Sequence, residues 1–199
     1  MIVKVCGITN PNDAAAAIAN GAGAIGFNFY PRSPRYIAPE DAARIATPGV
    51  LRAGVFVNEP AARIEEIARV AALDVAQLHG DESPEDYPHG ITVWKAARVS
   101  EGFALAHYLG LPADAILLDG PAADLYGGSG KAFDWQIAAR STRRIIIAGG
   151  LDASNVARAI ALARPWGVDA CSRIESSPGI KDHQKMIDFL FAAKAALAA

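Results

Sequence analysis

Eight short apolar runs, separated by alanine-rich stretches with helical spacing, constrain this chain more than any single residue does. The runs occupy residues 2–6, 24–28, 51–57, 75–78, 92–96, 115–119, 145–148 and 168–171. Each has the length and the branched apolar content of a strand. The intervening stretches predict helices. Over 11–20, Asn10 is placed to cap the start and Gly21 to stop the end. The stretch 39–46 opens on a proline at a first-turn position. Over 60–72, Ile64, Ile67, Ala68 and Ala71 fall on one face. The stretches 154–163 and 183–198 read the same way. Strands alternating with helices predict one parallel β/α domain over 1–199. Spread over 199 residues, eight units take about 25 residues each, at the compact end of the (β/α)8 (TIM) barrel range. An open doubly wound sheet is the competing architecture, and the strand count favours the barrel. No linker, low-complexity tract or internal repeat divides the chain.

Composition excludes several classes. Apolar residues make up 52% and charged residues 20%, which supports a large core and argues against disorder. The net charge of −2 comes without a basic block, so no nucleic-acid partner is expected. No apolar run approaches membrane-spanning length, and no basic region leads into a long apolar stretch at the start, so neither a membrane partner nor a signal peptide is expected. Two distant cysteines, Cys6 and Cys171, make no disulfide or metal framework and suggest a reducing, cytoplasmic compartment. The four histidines are scattered, and no metal cluster is expected.

The chemistry concentrates where strands end. Val3-Lys4-Val5-Cys6-Gly7 and Ile116-Leu117-Leu118-Asp119-Gly120 each finish on one ionisable residue followed by glycine. In a parallel barrel that end is the active face. A thiol and a carboxylate there can serve as base and acid. Lys4 alternates onto the same face as Cys6, and an ammonium nearby favours a thiolate. Free cysteines are commonly buried small hydrophobes, and Asp-Gly is a common turn pair; both alternatives stand beside the catalytic reading. Asp169 poses the same question near the end of the eighth strand, while Cys171 is expected to pack in the barrel wall.

Gly149 and Gly150 follow the seventh strand and Ser172 the eighth, the two loops that commonly hold a phosphate in such barrels. Tyr126-Gly127-Gly128-Ser129-Gly130-Lys131 lacks the spacing of a P-loop and reads as a lid after the sixth strand. Arg32 and Arg35, in a proline-stiffened loop, both offer a fork to a carboxylate. His79 closes the fourth strand.

Together these segments resemble the phosphoribosylanthranilate isomerase family. The resemblance rests on Lys4-Val5-Cys6-Gly7-Ile8-Thr9, Gly26-Phe27-Asn28-Phe29-Tyr30-Pro31, Gly54-Val55-Phe56-Val57-Asn58 and Gln77-Leu78-His79-Gly80. It continues through Leu117-Leu118-Asp119, Ala148-Gly149-Gly150-Leu151 and Ser177-Pro178-Gly179-Ile180-Lys181-Asp182. It implies an isomerase of tryptophan biosynthesis acting without cofactor on a small phosphorylated substrate, as a monomer or homodimer. The resemblance assigns Asp119 as general acid and Cys6 as general base. It sets Arg35 against the anthranilate carboxylate, Asp169 near the substrate amine, and Gly149, Gly150 and Ser172 on the phosphate; His79 lines the pocket. One departure stands out: Arg173 occupies a position where the family usually has glycine. Related barrel isomerases and lyases, a thiol hydrolase and a barrel that only binds its ligand are the alternatives. The hydrolase would need a histidine beside Cys6.

Overall fold

In the computed structural model, which describes residues 1–120, 135–139 and 141–198, the eight runs form β1 (Ile2–Cys6), β2 (Ala24–Asn28), β3 (Leu51–Phe56), β4 (Val75–Leu78), β5 (Thr92–Arg98), β6 (Ala115–Asp119), β7 (Ile145–Ala148) and β8 (Gly167–Ala170). They close in sequence order into a parallel barrel. Closure is made by β1 against β8, with Lys4 opposite Asp169 and Val5 opposite Ala170. The chain is a TIM barrel, as its strand count predicts.

Alternation along each strand sorts side chains between two cores. Val3 and Val5 of β1 face outward into the layer shared with the helices. The barrel interior takes Ala24, Ala53, Val75, Trp94, Ala115, Leu117 and Ile146, with Trp166 against them. The Trp94 and Trp166 rings meet edge to face at 5.8 Å, and the alanines opposite them make room for that volume. Above this floor the interior turns polar: Lys4, Gln77 and Asp169 are all buried.

The helices are α1 (Pro11–Ala19), α2 (Pro39–Arg44), α3 (Ala61–Val70), α4 (Leu105–Leu109), α5 (Val156–Ala163) and α6 (His183–Ala198) among the described residues. Asn10 caps α1 through its side-chain oxygen. Two predicted starts shift. Pro60 becomes the cap of α3 rather than its first residue. Ser154 folds back on Asp152, donating from both N and Oγ, so α5 begins two residues late. Between β4 and β5 the chain makes only a short 3-10 turn at Pro84–Asp86. On α3, Ile64, Ile67 and Ala71 are buried. On α6 the buried positions are Met186, Phe189, Leu190 and Ala193, at the spacing of one helix face. After β8 a small antiparallel pair, β9 (Glu175–Ser177) and β10 (Ile180–Lys181), packs against the loops that follow β1 and β2 through Thr9 and Arg35. Sequence periodicity did not predict it. The expected lid, residues 126–131, lies outside the described residues.

A buried ion pair fixes the turn after β4. Glu82 meets Lys95 Nζ at 2.6 Å and accepts backbone N–H groups of Asn58 and Gly80. Lys95 also donates to the Gly80 carbonyl. Glu82→Ala therefore strands a buried ammonium and two amides. We expect a loss of about 3–5 kcal/mol in equilibrium urea unfolding; a loss below about 1 kcal/mol, as at an exposed pair, would mean that Lys95 escapes to water.

Candidate active site

The polar layer opens into a cavity of about 310 Å³ at the C-terminal ends of the strands. Cys6, Arg35, His79, Asp119, Gly149, Gly150, Asp169 and Ser172 all line it, together with Asn28, Gln77, Cys171 and Arg173. The candidate acid, base and binding residues thus reach one space, whereas Arg32 does not.

Cys6 sits at the floor, 8% exposed. Gly26, opposite it on β2, leaves the room it needs: a Cβ there would lie 2.8 Å from Cys6 Sγ and 3.0 Å from Lys4 Cε. Lys4 is fully buried, with Nζ 2.9 Å from Asp169 Oδ2. The Cys171 thiol donating to Cys6, followed by the Lys4 and Lys181 ammonium groups, holds Cys6 well below the ordinary thiol value of 9.0, against the opposing effect of burial. Burial works against the charge on Lys4 too, but Asp169 and Cys6 outweigh it and raise its pKa. Asp169 is pushed up to about 7, first by burial and then by Cys6 and Asp119, against the pull of Lys4. One ammonium thus faces two groups competing for negative charge, and the thiolate is favoured. Asp169 Oδ1 is buried and has no hydrogen-bond partner among the described residues.

Asp119 lies at the end of β6, about one-third exposed, with Oδ2 3.1 Å from His79 Nε2. His79 Nδ1 stands 3.1 Å from Gln77 Nε2. With Gln77 as donor to Nδ1, His79 carries its proton on Nε2 and donates it to Asp119. The ring is thereby committed to the carboxylate.

Arg35 is separated from Arg32 by its surroundings. Arg32 is exposed, whereas Arg35 lines the cavity and grips Glu175 through Nε and Nη2 at 2.9 and 2.7 Å. Glu175 also accepts Lys181 Nζ at 2.9 Å, so the β9–β10 pair anchors the guanidinium. Glu175 and Lys181 carried no local sequence signal for this role. Gln77 did, being two residues before His79 on the same strand face. Cys171, expected in the barrel wall, instead lines the cavity, because it follows Asp169 by two positions and shares its inward side.

Gly149 and Gly150 both take left-handed backbone, φ 85° and 64°, a conformation that glycine adopts freely. A Cβ at Gly149 would stand 2.3 Å from the Gly120 carbonyl oxygen and 2.5 Å from its nitrogen. Gly149→Ala must therefore push the β7 loop away from the residue next to Asp119. We expect kcat/KM to fall by about 10–100-fold in steady-state kinetics, with the fold retained by circular dichroism. Arg173 turns its guanidinium to Asp152 on the neighbouring loop, Nε at 2.8 Å and Nη2 at 2.7 Å from Oδ2, and so ties together the loops that follow β7 and β8.

A closed parallel barrel with its ionisable groups gathered at the C-terminal strand ends is the architecture of a TIM-barrel enzyme. The model of the N-(5'-phosphoribosyl)anthranilate isomerase family matches residues 3–192. The N-(5'-phosphoribosyl)anthranilate isomerase of Solibacter usitatus is 71% identical over the full length of both chains. The crystal structure of phosphoribosyl anthranilate isomerase from Thermotoga maritima superposes with a TM-score of 0.89 at 43% identity, over 98% of this chain and all of that one. A phosphoribosyl anthranilate isomerase crystallised with reduced 1-(o-carboxyphenylamino)-1-deoxyribulose 5-phosphate matches with a TM-score of 0.87 at 40% identity, over 98% of this chain and all of that one. The chain belongs to the phosphoribosylanthranilate isomerase family.

Proposed function

We propose that this enzyme converts N-(5-phosphoribosyl)anthranilate to 1-(o-carboxyphenylamino)-1-deoxyribulose 5-phosphate in tryptophan biosynthesis, an Amadori rearrangement run by an acid and a base. One observation carries the assignment of roles: Cys6 and Asp119 open onto the same cavity from β1 and β6, with the Cys171 thiol and then the Lys4 ammonium favouring the Cys6 thiolate. Asp119 delivers a proton to the ribose ring oxygen, the C1′–O bond breaks, and the nitrogen lone pair forms a Schiff base. The Cys6 thiolate then takes the proton from C2′, and its electron pair moves through the conjugated system to give an enolamine, which tautomerises to the ketone.

The remaining groups supply binding and orientation. The unpartnered Asp169 Oδ1 is an acceptor for the substrate amine, and leaving such an atom unpaired is costly. Arg35, held edge-on by Glu175, offers its fork to the anthranilate carboxylate. Backbone N–H groups of Gly149, Gly150 and Ser172 take the phosphate. Because the Arg173 side chain is engaged by Asp152, the glycine-to-arginine departure leaves the phosphate to these amides. His79 is tied to Gln77 and Asp119, so it orients the acid rather than serving Cys6. We assign the enzyme to the cytoplasm on its two free thiols; no helix among the described residues is long and apolar enough to cross a membrane. Monomer and homodimer are both compatible with the site, which one chain lines.

The test is turnover of freshly prepared phosphoribosylanthranilate, followed through the fluorescence of its anthranilate moiety. Consumption with formation of the ketose supports the assignment. A folded protein that leaves the substrate unchanged removes it.

A further inference from the structure

The seam that closes the barrel carries two thiols, of which the proposed reaction uses one. Lys4 lies opposite Asp169 and Val5 opposite Ala170, where the register ends; Cys6 and Cys171 each stand one residue further on, and their side chains meet. Neighbouring strands run about 4.8 Å apart, and disulfides span Cα separations of about 4.4–6.8 Å. Both side chains fall on the inward face and line the same cavity. Glycine flanks both sulfurs: a Cβ on Gly26 would lie 2.8 Å from Cys6 Sγ, and one on Gly7 would lie 3.0 Å from Cys171 Sγ. Neither cysteine is in a disulfide, and Cys171 is the more exposed.

We propose that Cys6 and Cys171 form a site of reversible oxidation, in which a small hydroperoxide oxidises Cys6 and Cys171 closes the product to an intramolecular disulfide. In the first step the Cys6 thiolate attacks a peroxide oxygen. An S–O bond forms, the O–O bond breaks, and the leaving alkoxide or hydroxide takes up a proton. Sulfur loses two electrons and the peroxide gains them, giving the sulfenic acid. In the second step Cys171 attacks the Cys6 sulfur. An S–S bond forms, the S–O bond breaks, and hydroxide leaves as water with the proton that Cys171 gave up. The sum is two thiols and one hydroperoxide going to one disulfide, one alcohol or water, and one water.

The surroundings suit each step. A thiolate is the form that attacks a peroxide, and the Cys171 thiol, Lys4 and Lys181 favour it at Cys6. Cys171 is held protonated first by its bond to Cys6, then by burial and the Cys6 charge. Conversion of Cys6 to an uncharged sulfenic acid removes that charge. Glu175 Oε1 lies 3.9 Å from Cys171 Sγ, with Lys181 2.9 Å away on the same carboxylate oxygen. If Cys6 is the base, the disulfide consumes it and turnover stops until a dithiol restores it. That consequence rests on the proposed function; bond formation does not.

The experiment treats the full-length protein with hydrogen peroxide and follows intact mass, peptide mapping and turnover. The native chain should become two hydrogen atoms lighter, yield one peptide linking Cys6 to Cys171, lose turnover by about 100-fold or more, and recover it with dithiothreitol. Cys171→Ser, scaled to its own untreated rate, should gain oxygen atoms instead of the link and, once Cys6 has passed the sulfenic stage to sulfinic or sulfonic acid, lose turnover that dithiothreitol does not restore. A native chain that gains oxygen without the link, or links only between chains, overturns the proposal. A Cys6–Cys171 link that leaves turnover intact supports the oxidation site and removes Cys6 from the catalytic reading. Loss of turnover with no link does the reverse.

Discussion

Cys6→Ser is expected to abolish most turnover, lowering kcat by about 100- to 10,000-fold, the contribution of a positioned general base. The substitution exchanges sulfur for oxygen and adds no atom to a site already closed in by Gly26, so the fold and the cavity should survive. What is lost is the anion. A serine hydroxyl does not ionise where a thiol does, and the Lys4 ammonium then faces Asp169 alone. Binding of a product analogue should change little, because Arg35, Gly149 and Gly150 lie elsewhere around the cavity. The native pH profile carries the complementary signature. Cys6 is lowered from 9.0, so the thiolate persists below the usual thiol range. Activity should hold as pH falls past that range and drop only on the acid side of it, as the thiolate is protonated. A kcat within tenfold of native in Cys6→Ser, or an acid limb at the value of an ordinary thiol, would remove Cys6 as the base.

How much of this was legible without coordinates differs from residue to residue. The strand ends at Cys6 and Asp119 were visible because a buried strand is apolar until it meets its site, and the first ionisable residue before glycine marks that point. Lys4 was legible through strand alternation, and the structure buries it beside Cys6. The barrel itself followed from counting units. Other features depend on contacts that sequence spacing does not encode. Arg35 and Glu175 are 140 residues apart, and only the β9–β10 fold brings Lys181 to the same carboxylate. The sequence alone left Arg32 and Arg35 equivalent, and only family resemblance chose between them; the structure distinguishes their surroundings, Arg35 lining the cavity against Glu175 and Arg32 standing exposed. Cys171 was misplaced for a register reason: one residue beyond β8 it keeps the inward direction of Asp169 and lines the cavity, although an apolar wall position suited its type. The late start of α5 reflects local competition, since Asp152 and Ser154 satisfy each other before the helix begins.

Asp119→Asn should be the second severe loss, about 100- to 10,000-fold in kcat, through a different step. Asparagine keeps the size and an acceptor oxygen for the His79 N–H, so the Gln77–His79 alignment persists and neither fold nor product-analogue binding should shift by more than about threefold, within 1 kcal/mol. It has no acidic proton for the ribose oxygen, and it cannot become the carboxylate that His79 Nε2, 3.1 Å away, is placed to stabilise once that proton has left. If KM rises while kcat holds, Asp119 is a binding group and the acid lies elsewhere. The double variant with Cys6→Ser separates the two roles. When ring opening and proton abstraction are successive, the slower barrier alone sets the rate, and the double variant should turn over no more slowly than the slower single one. Losses that multiply would place both groups in one transition state, with ring opening and C2′ deprotonation concerted across the cavity between β1 and β6.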